Sequence, residues 1–159
     1  MQQVSAEQSS HKYVIFSLGE EQYGINISQV REIVRWARVT EIPQTSEHIC
    51  GIRNLRGEVV PIVSLRSLFG LPRMPNDDDS KIIILEIGCS LFGAVVDSVD
   101  EVMEIASSAI QEPPASISGR LTSFVYGVAQ ATEGLVILIS VEEIFANGEA
   151  EPTKGQDLK

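Results

Sequence analysis

The side chains that could carry out catalysis or bind a metal are few in this sequence and poorly grouped. His11 lies in a polar N-terminal segment, and His48 has no nucleophile elbow near it. The three consecutive aspartates at 77–79 lack the interleaved ligand spacing and the bidentate glutamate of an EF-hand loop. The glycines are isolated and form no phosphate-binding fingerprint. We therefore predict no catalytic residue, no metal site and no cofactor.

The composition limits the partners that the protein can bind. The chain has 159 residues, with 12 Lys and Arg against 22 Asp and Glu, which gives a formal net charge of −10. This acidic excess repels phosphate groups, so binding to nucleic acid or to anionic lipid is not expected. Hydrophobic residues make up 43% of the chain, which is enough for a folded core. Proteins and small molecules remain as partners.

The sequence predicts a cytoplasmic protein without direct membrane insertion. No apolar run reaches the roughly 18 residues that a spanning helix needs. The N-terminus lacks the charged-then-apolar order of a signal peptide. Cys50 and Cys89 are not in a CxxC motif, and we expect both to be reduced thiols.

Short runs rich in Val and Ile, separated by Gly or Asx, indicate a mainly β protein. The predicted strands are 13–18, 22–27, 58–63, 81–87, 91–96, 124–129 and 135–140. Residues 1–11 and 148–159 lack this pattern and are predicted to be tails. The loop at 72–80, with two prolines and three aspartates, marks a central boundary.

The chain contains an internal repeat. Residues 13–34 align with 82–103 at an offset of 69, and residues 51–69 align with 127–145 at an offset of 76. Each copy reads as strand, glycine turn, strand, short amphipathic helical turn, loop, strand pair and short helix. A unit of about seventy residues buries too little surface to be more than marginally stable alone. We therefore expect two small antiparallel barrels packed on each other, with a binding groove along their seam.

The two copies differ at one loop. Residues 54–57 read Asn-Leu-Arg-Gly, whereas residues 130–133 read Gln-Ala-Thr-Glu, so the cation Arg56 and the turn glycine Gly57 occur once. Gly57 is expected to supply a turn with positive φ. Arg56 is either a loop residue that is solvated or paired with a nearby carboxylate, or a planar donor to a carboxylate across an interface. The sequence leaves both interpretations open.

Four motifs together resemble one family. They are FxLGxxxYGIxI at 16–27, VxEI at 30–33, GIxNLRGxxVPIVxL at 51–65 and GAVVDxVxEV at 93–102. The third is the most specific, because it joins a glycine turn to a strand that contains a proline. Over residues 12–147 the chain resembles the CheW family of chemotaxis coupling proteins.

This resemblance implies a mainly β fold of two intertwined five-stranded SH3-like barrels with a few short helices. Residues 12–147 would form a single CheW-like domain, with a first barrel at about 12–75 and a second at about 80–147. The implied function is a non-catalytic scaffold that couples the cytoplasmic tips of methyl-accepting chemoreceptors to the regulatory domain of a CheA-type histidine kinase. Such a protein would be cytoplasmic and recruited to membrane-associated receptor arrays.

The resemblance also assigns residues to the two partners. The receptor-facing residues that it implies are Val30, Glu32, Arg56, Val99 and Val102. The kinase-facing residues that it implies are Ile33, Val39 and Ile42. Gly51 and Gly57 are expected to be structural turn residues. Because Val30 and Val99 are matched in the repeat, they could instead be core residues, and the matched Glu32 and Glu101 could be solvated helix charges.

The sequence departs from the family pattern in two places. Ser64 stands where an aspartate is common, and the loop at 111–118 has no aromatic residue, so the resemblance does not extend to a ring-forming contact there. Two alternatives stay open. One is a paralogous CheW-like adaptor in twitching, gliding or surface sensing. The other is a small ligand-binding barrel, which would require aromatic stacking platforms and a basic groove, whereas aromatics are only 6% of this chain.

Overall fold

The computed structural model describes residues 9–37, 39–41, 48–72, 80–114, 124–131 and 134–146, in the last range without the side chains of 145 and 146. The strands in these ranges are β1 (Ser10–Leu18), β2 (Glu21–Asn26), β3 (Val30–Arg35), β4 (Ile49–Leu55), β5 (Glu58–Ser64), β6 (Lys81–Ile87), β7 (Ser90–Val96), β8 (Ser98–Ala106), β9 (Val125–Ala131) and β10 (Gly134–Ile139). Helices α1 (Leu65–Leu68) and α2 (Val141–Ala146) follow β5 and β10. Short 3-10 turns occupy Ile27–Gln29 and Ser107–Ala109.

The described strands form two five-stranded sheets. Sheet 1 has the order β8-β1-β2-β10-β9, and sheet 2 has the order β3-β6-β7-β5-β4. The prediction of a mainly β fold with two five-stranded units and a few short helices is confirmed. Within the described ranges, no helix is long and apolar enough to cross a membrane.

Each sheet combines the first two strands of one repeat with the last three strands of the other. Replacing every strand of sheet 1 by its repeat counterpart yields the strand order of sheet 2. The ranges 12–75 and 80–147 therefore do not coincide with the two sheets. Those ranges treat the two repeats as consecutive units. In the structure, β3 pairs with β6 and β5 pairs with β7, so these strands of the first repeat lie in a different sheet from β1 and β2.

The pairing register repeats residue by residue. Phe16 pairs with Val99 in sheet 1, and their counterparts Leu85 and Val30 pair in sheet 2. Each of these ladders has a register shift at the equivalent place. The repeat that the sequence shows is therefore also a repeat of the backbone.

Matched glycines lie where strands of different repeats run parallel. A Cβ atom on Gly93 would lie 2.6 Å from Cδ1 of Ile62, and one on Gly24 would lie 2.9 Å from Cδ2 of Leu138. Ile62 and Leu138 are the parallel partners of these glycines. Both glycines thus allow close packing between the two repeats, and a larger residue at either position would force the neighbouring side chains to shift.

The short amphipathic helical turn predicted after β2 is wrong for most of its length. A single 3-10 turn at Ile27–Gln29 leads directly into strand β3, whose residues alternate between half-buried and exposed. Val30, Ile33 and Val34 have the spacing of a helix face, but pairing with β6 imposes the two-residue period of a strand. Glu32 and Glu101 are therefore strand residues and not helix charges.

The described residues form three apolar clusters. The largest takes buried residues from both sheets and both helices, and we call it the central cluster. It contains a series of four aromatic rings whose successive centroids are 5.8, 5.3 and 5.9 Å apart, namely Phe16, Tyr23, Phe69 and Phe124. A second cluster takes its buried residues from sheet 1 and a third from sheet 2. The central cluster therefore joins the two sheets into one hydrophobic unit.

Candidate binding surfaces

A bidentate ion pair joins Arg56 to Glu32. Arg56 and Gly57 form the two-residue turn between β4 and β5, with φ angles of 51° and 90°. The Asn54 side chain accepts a hydrogen bond of 3.0 Å from the Gly57 N–H, which supports this turn. The turn presents Arg56 to Glu32 on β3, with distances of 2.5 Å from Nη1 to Oε2 and 2.8 Å from Nη2 to Oε1.

This ion pair links the two edges of sheet 2. Strands β3 and β4 lie at opposite ends of the strand order, so the contact from the β4–β5 turn to β3 helps to close the sheet on itself. Arg53 adds a 3.3 Å hydrogen bond to the carbonyl of Arg35, and Thr40 and Ile52 form a backbone bridge. The sheet therefore has the closed character expected of a small barrel.

The ion pair also shifts the pKa values of its two members. The hydrogen bond from Arg56 lowers the pKa of Glu32 below its ordinary value, and the same bond raises the pKa of Arg56. The Arg56 side chain is 76% exposed, whereas that of Glu32 is 24% exposed. Arg56 thus pairs with a nearby carboxylate of its own chain, and its outer side stays accessible to a partner.

Four of the assigned residues are apolar side chains on β3 and β8, the third strand of each repeat, and they fall into two classes. Val30 and Val99 are half-buried and pack against the central cluster. Ile33 and Val102 are exposed, at 38% and 51% of their surface. Ile33, which is assigned to the kinase, lies on β3, and Val102, which is assigned to the receptor, lies on β8. The two residues occupy equivalent positions of the repeat.

The remaining assigned residues have distinct surroundings. Val39 is half-buried and packs against the cluster of sheet 2. Gly51 is buried with a φ of 154°, and a Cβ atom there would collide with the backbone oxygen of Thr40. Gly51 is therefore required by a close approach between backbones. Ile42 lies outside the described residues.

Sequence reasoning missed a second bidentate ion pair. Arg66 of α1 donates from Nε and Nη2 to Asp97, over 2.9 and 2.7 Å. Asp97 also accepts a 2.7 Å hydrogen bond from the Gly19 N–H, and Arg66 donates to the carbonyl of Pro72. The hydrogen bonds from Arg66 lower the pKa of Asp97. These hydrogen bonds connect α1 to the β1–β2 turn, which contains Gly19, and to the β7–β8 connection, which contains Asp97.

The repeat itself held the signal for this pair. At the offset of 76 the counterpart of Arg66 is Glu142, and at the offset of 69 the counterpart of Asp97 is Ser28. Arg66 and Asp97 each lack a counterpart of the same type in the other copy, which suggests that they form an ion pair with each other. The single occurrence of Arg56 indicates a special role for its loop in the same way.

Comparisons with known proteins agree with this architecture. A family model described as a CheW-like domain matches residues 12–149. The chain is 33% identical to the chemotaxis protein CheW of Klebsiella aerogenes, over 92% of this chain and 88% of that protein. It is 31% identical to the chemotaxis protein CheW of Treponema pallidum, over 87% and 84%. The crystal structure of the scaffolding protein TtCheW from Thermoanaerobacter tengcongensis superposes with a TM-score of 0.81 at 37% identity, covering 91% of this chain and all of that one.

The interleaved sheets and these relatives define a class of protein, the non-catalytic coupling adaptors of chemotaxis. The chain belongs to the CheW family. The resemblance inferred from its motifs is therefore confirmed.

Proposed function

We propose that this chain holds the cytoplasmic tip of a methyl-accepting chemoreceptor and the regulatory domain of a CheA-type histidine kinase in a fixed relative geometry. The observation that carries the proposal is the Arg56–Glu32 pair, in which an exposed guanidinium is oriented by a carboxylate of the neighbouring strand. A pre-oriented cation on a closed barrel loses little side-chain freedom when a partner binds. That property suits a protein that acts by holding partners rather than by chemistry.

The proposed receptor surface comprises Val30, Glu32, Arg56, Val99 and Val102. Val102 supplies an exposed apolar side chain, and the half-buried Val30 and Val99 pack their strands against the central cluster. A receptor tip made of a helical hairpin would place apolar side chains on such positions while Glu32 and Arg56 fix its register. This arrangement follows the helix-in-groove mode of recognition.

The proposed kinase surface comprises Ile33, Val39 and Ile42. Ile33 is supported by its exposure, and Val39 by its position beside the Thr40–Ile52 bridge at the edge of sheet 2. Ile42 rests on the family resemblance alone. In this proposal the protein works in the cytoplasm and reaches the receptor array through these two contacts.

The test is a reconstituted phosphorylation assay with the purified chain, a CheA-type kinase and receptor-containing membranes. We expect Arg56→Ala to reduce receptor-stimulated kinase autophosphorylation severalfold, because the mutation removes an exposed partner contact and frees Glu32. The fold should persist, since exposed ion pairs contribute little to stability.

The matched control is Arg31→Ala. Arg31 is also an arginine of this region, lies on β3 and pairs with Glu86 at 3.3 Å with both side chains about half exposed. We expect this variant to stimulate the kinase normally. A normal level of stimulation by Arg56→Ala would remove Arg56 from the proposed surface. Activity with the kinase and receptors of a twitching or gliding system, in place of a chemotaxis system, would favour the paralogous adaptor.

A further inference from the structure

Among the described strands, the chain crosses between the two sheets at two equivalent places. It passes from β2 of sheet 1 to β3 of sheet 2 through the 3-10 turn Ile27–Gln29, and from β7 of sheet 2 to β8 of sheet 1 through Asp97 alone. We call these the first and the second crossing. Each leads directly into a strand that carries proposed partner contacts, namely Ile33 on β3, and Val99 and Val102 on β8.

The first crossing is shaped by hydrogen bonds between neighbouring residues. The Asn26 side chain accepts a 2.9 Å hydrogen bond from the Ser28 N–H, and the Val30 N–H donates to the Ile27 carbonyl. Both bonds are local to the turn, as in an Asx-type turn. The start of β3 is therefore set by the sequence around it.

The second crossing is tied to other elements of the fold. The Asp97 N–H donates to the Ser17 carbonyl of β1 over 3.1 Å, and the Asp97 carboxylate accepts the Gly19 N–H over 2.7 Å. The same carboxylate accepts Nε and Nη2 of Arg66, on α1, over 2.9 and 2.7 Å. The start of β8 therefore depends on contacts that are distant in sequence.

Arg66 is arranged to hold this crossing and not to contact a partner. Its Nη1 donates to the Pro72 carbonyl over 2.7 Å, so all three guanidinium nitrogens are bonded within the chain. The Arg66 side chain is only 14% exposed, compared with 76% for Arg56. The counterparts of Arg66 and Asp97 in the other repeat, Glu142 and Ser28, cannot form such a pair. This support thus belongs to the second crossing alone.

The position of the second crossing matters for the residues that follow it. Val99 pairs with Phe16 and Val102 pairs with Val14, and the register shifts by one residue between these pairs, at Asp100. Both partners of the valines belong to the central cluster. Because side chains alternate along a strand, sliding β8 by one residue would turn both valines to the other face. A fixed start of β8 therefore keeps both valines in place.

We infer, on the basis of the proposed function, that Arg66 is a positioning residue for the receptor surface. By holding Asp97 through two charge-assisted hydrogen bonds, it fixes where β8 begins and so where Val99 and Val102 lie. The kinase residue Ile33 follows the first crossing, which has its own local support. Arg66 therefore acts on receptor binding and not on kinase binding.

The first measurement is amide hydrogen exchange, by NMR, in the full-length, isotope-labelled Arg66→Gln protein. We expect the amides of residues 98–102 that bond to β1 to exchange about tenfold faster than in the natural chain, because local opening becomes easier when a supporting contact is lost. The amides of β3 should keep their rates. Equal acceleration in β3 and β8 would indicate a global loss of stability and overturn the inference.

The second measurement compares binding to receptor-containing membranes with binding to the regulatory domain of a CheA-type kinase. Arg66→Gln should weaken receptor binding about fivefold, within the range of effects transmitted through packed contacts, and leave kinase binding unchanged. Arg66→Lys should recover part of the receptor affinity, because an ammonium keeps the charge but not the bidentate fork. An equal loss for both partners would contradict the positioning role.

A mutant cycle tests whether Arg66 acts through Asp97. The double variant, Arg66→Gln with Asp97→Asn, should bind the receptor no more weakly than Arg66→Gln alone, whereas additive losses would argue against a joint action. Arg53→Gln is the matched control, since Arg53 donates to the Arg35 carbonyl within sheet 2. This control should leave receptor affinity and exchange in β8 unchanged.

Val102→Asp separates this positioning role from the proposed function. If Val102→Asp weakens receptor binding and Arg66→Gln does not, the proposed receptor surface is supported and the positioning role is overturned. If neither variant weakens receptor binding, the proposed receptor surface is itself wrong, and the positioning role is wrong with it.

Discussion

At the scale of single residues, the exposure of a side chain distinguishes core positions from surface positions, whereas the sequence shows only that the positions correspond between the two repeats. Val99 and Val102 lie three residues apart on β8, but Val99 packs against the central cluster and Val102 is 51% exposed. The sequence left open whether the matched valines are core residues. Val99 pairs with Phe16 and Val102 with Val14, and both partners belong to the central cluster, so the strand pairing does not separate the two valines and only their exposure does.

This difference predicts opposite results for two aspartate substitutions. Val102→Asp should keep the fold and lower the affinity for the receptor tip at least tenfold, because the new charge lies on the surface proposed for the receptor. Val99→Asp should instead destabilise the protein by about 2 kcal/mol or more, because it places a carboxylate against apolar side chains. Thermal unfolding by circular dichroism and a receptor co-sedimentation assay distinguish the two. Unfolding of Val102→Asp would argue that Val102 is a core residue.

At the scale of secondary-structure elements, the sequence predicted some strands well and others poorly. The runs at 81–87 and 91–96 were predictable because their Val and Ile residues are buried in continuous stretches. Strand β8 carries Asp100, Glu101 and Glu104, which are residue types depleted in strands, and it forms as an edge strand through its pairing with β1. Similarly, the pairing of Arg56 with Glu32, 24 residues away, depends on the curvature of sheet 2 and not on any local signal.

The Arg66–Asp97 pair predicts a pH-dependent contribution to stability. Because hydrogen bonds from Arg66 lower the pKa of Asp97, the contribution is present above the unfolded-state pKa of about 4 and is lost as the pH falls through the folded-state value. Asp97→Asn should cost about 1 kcal/mol at pH 7, a modest value because the Asp97 side chain is 36% exposed and solvent screens the pair.

The measurement is urea unfolding of both proteins between pH 7 and pH 3. The stability difference between the natural chain and Asp97→Asn should shrink in acid. Glu86→Gln, which breaks the more exposed pair with Arg31, serves as the control and should change little. A difference that stays constant down to pH 3 would show that ionisation of Asp97 does not contribute.

At the scale of the whole molecule, the repeat was readable from the sequence but the exchange of strands was not. Alignment at the two offsets identifies equivalent residues, such as Gly24 and Gly93, without saying which copy supplies the neighbouring strand. Sheets that each contain one repeat and sheets that exchange strands between the repeats would both satisfy the same apolar pattern. The parallel contacts of β2 with β10 and of β5 with β7 are what make the two repeats inseparable.

The exchange predicts that neither repeat folds alone. A fragment of residues 1–76 lacks β6 and β7, which lie between β3 and β5 in sheet 2, and it lacks three of the five strands of sheet 1. We expect this fragment and residues 77–159 each to be largely unfolded by circular dichroism. Mixed in equal amounts, they should recover the spectrum of the intact chain. Cooperative thermal unfolding of either fragment by itself would contradict the interleaved fold.

The pairing of Ser10 with Ala106 also bears on how the protein is made. A ribosome releases β1 long before β8 exists, and β1 is buried on both of its faces in the finished fold. One edge of β1 can pair with β2 at once, but the edge that pairs with β8 lacks its final partner until most of the chain has been synthesised. Folding should consequently be a late event in synthesis, and the growing chain should depend on chaperones more than a protein whose two barrels are completed one after the other.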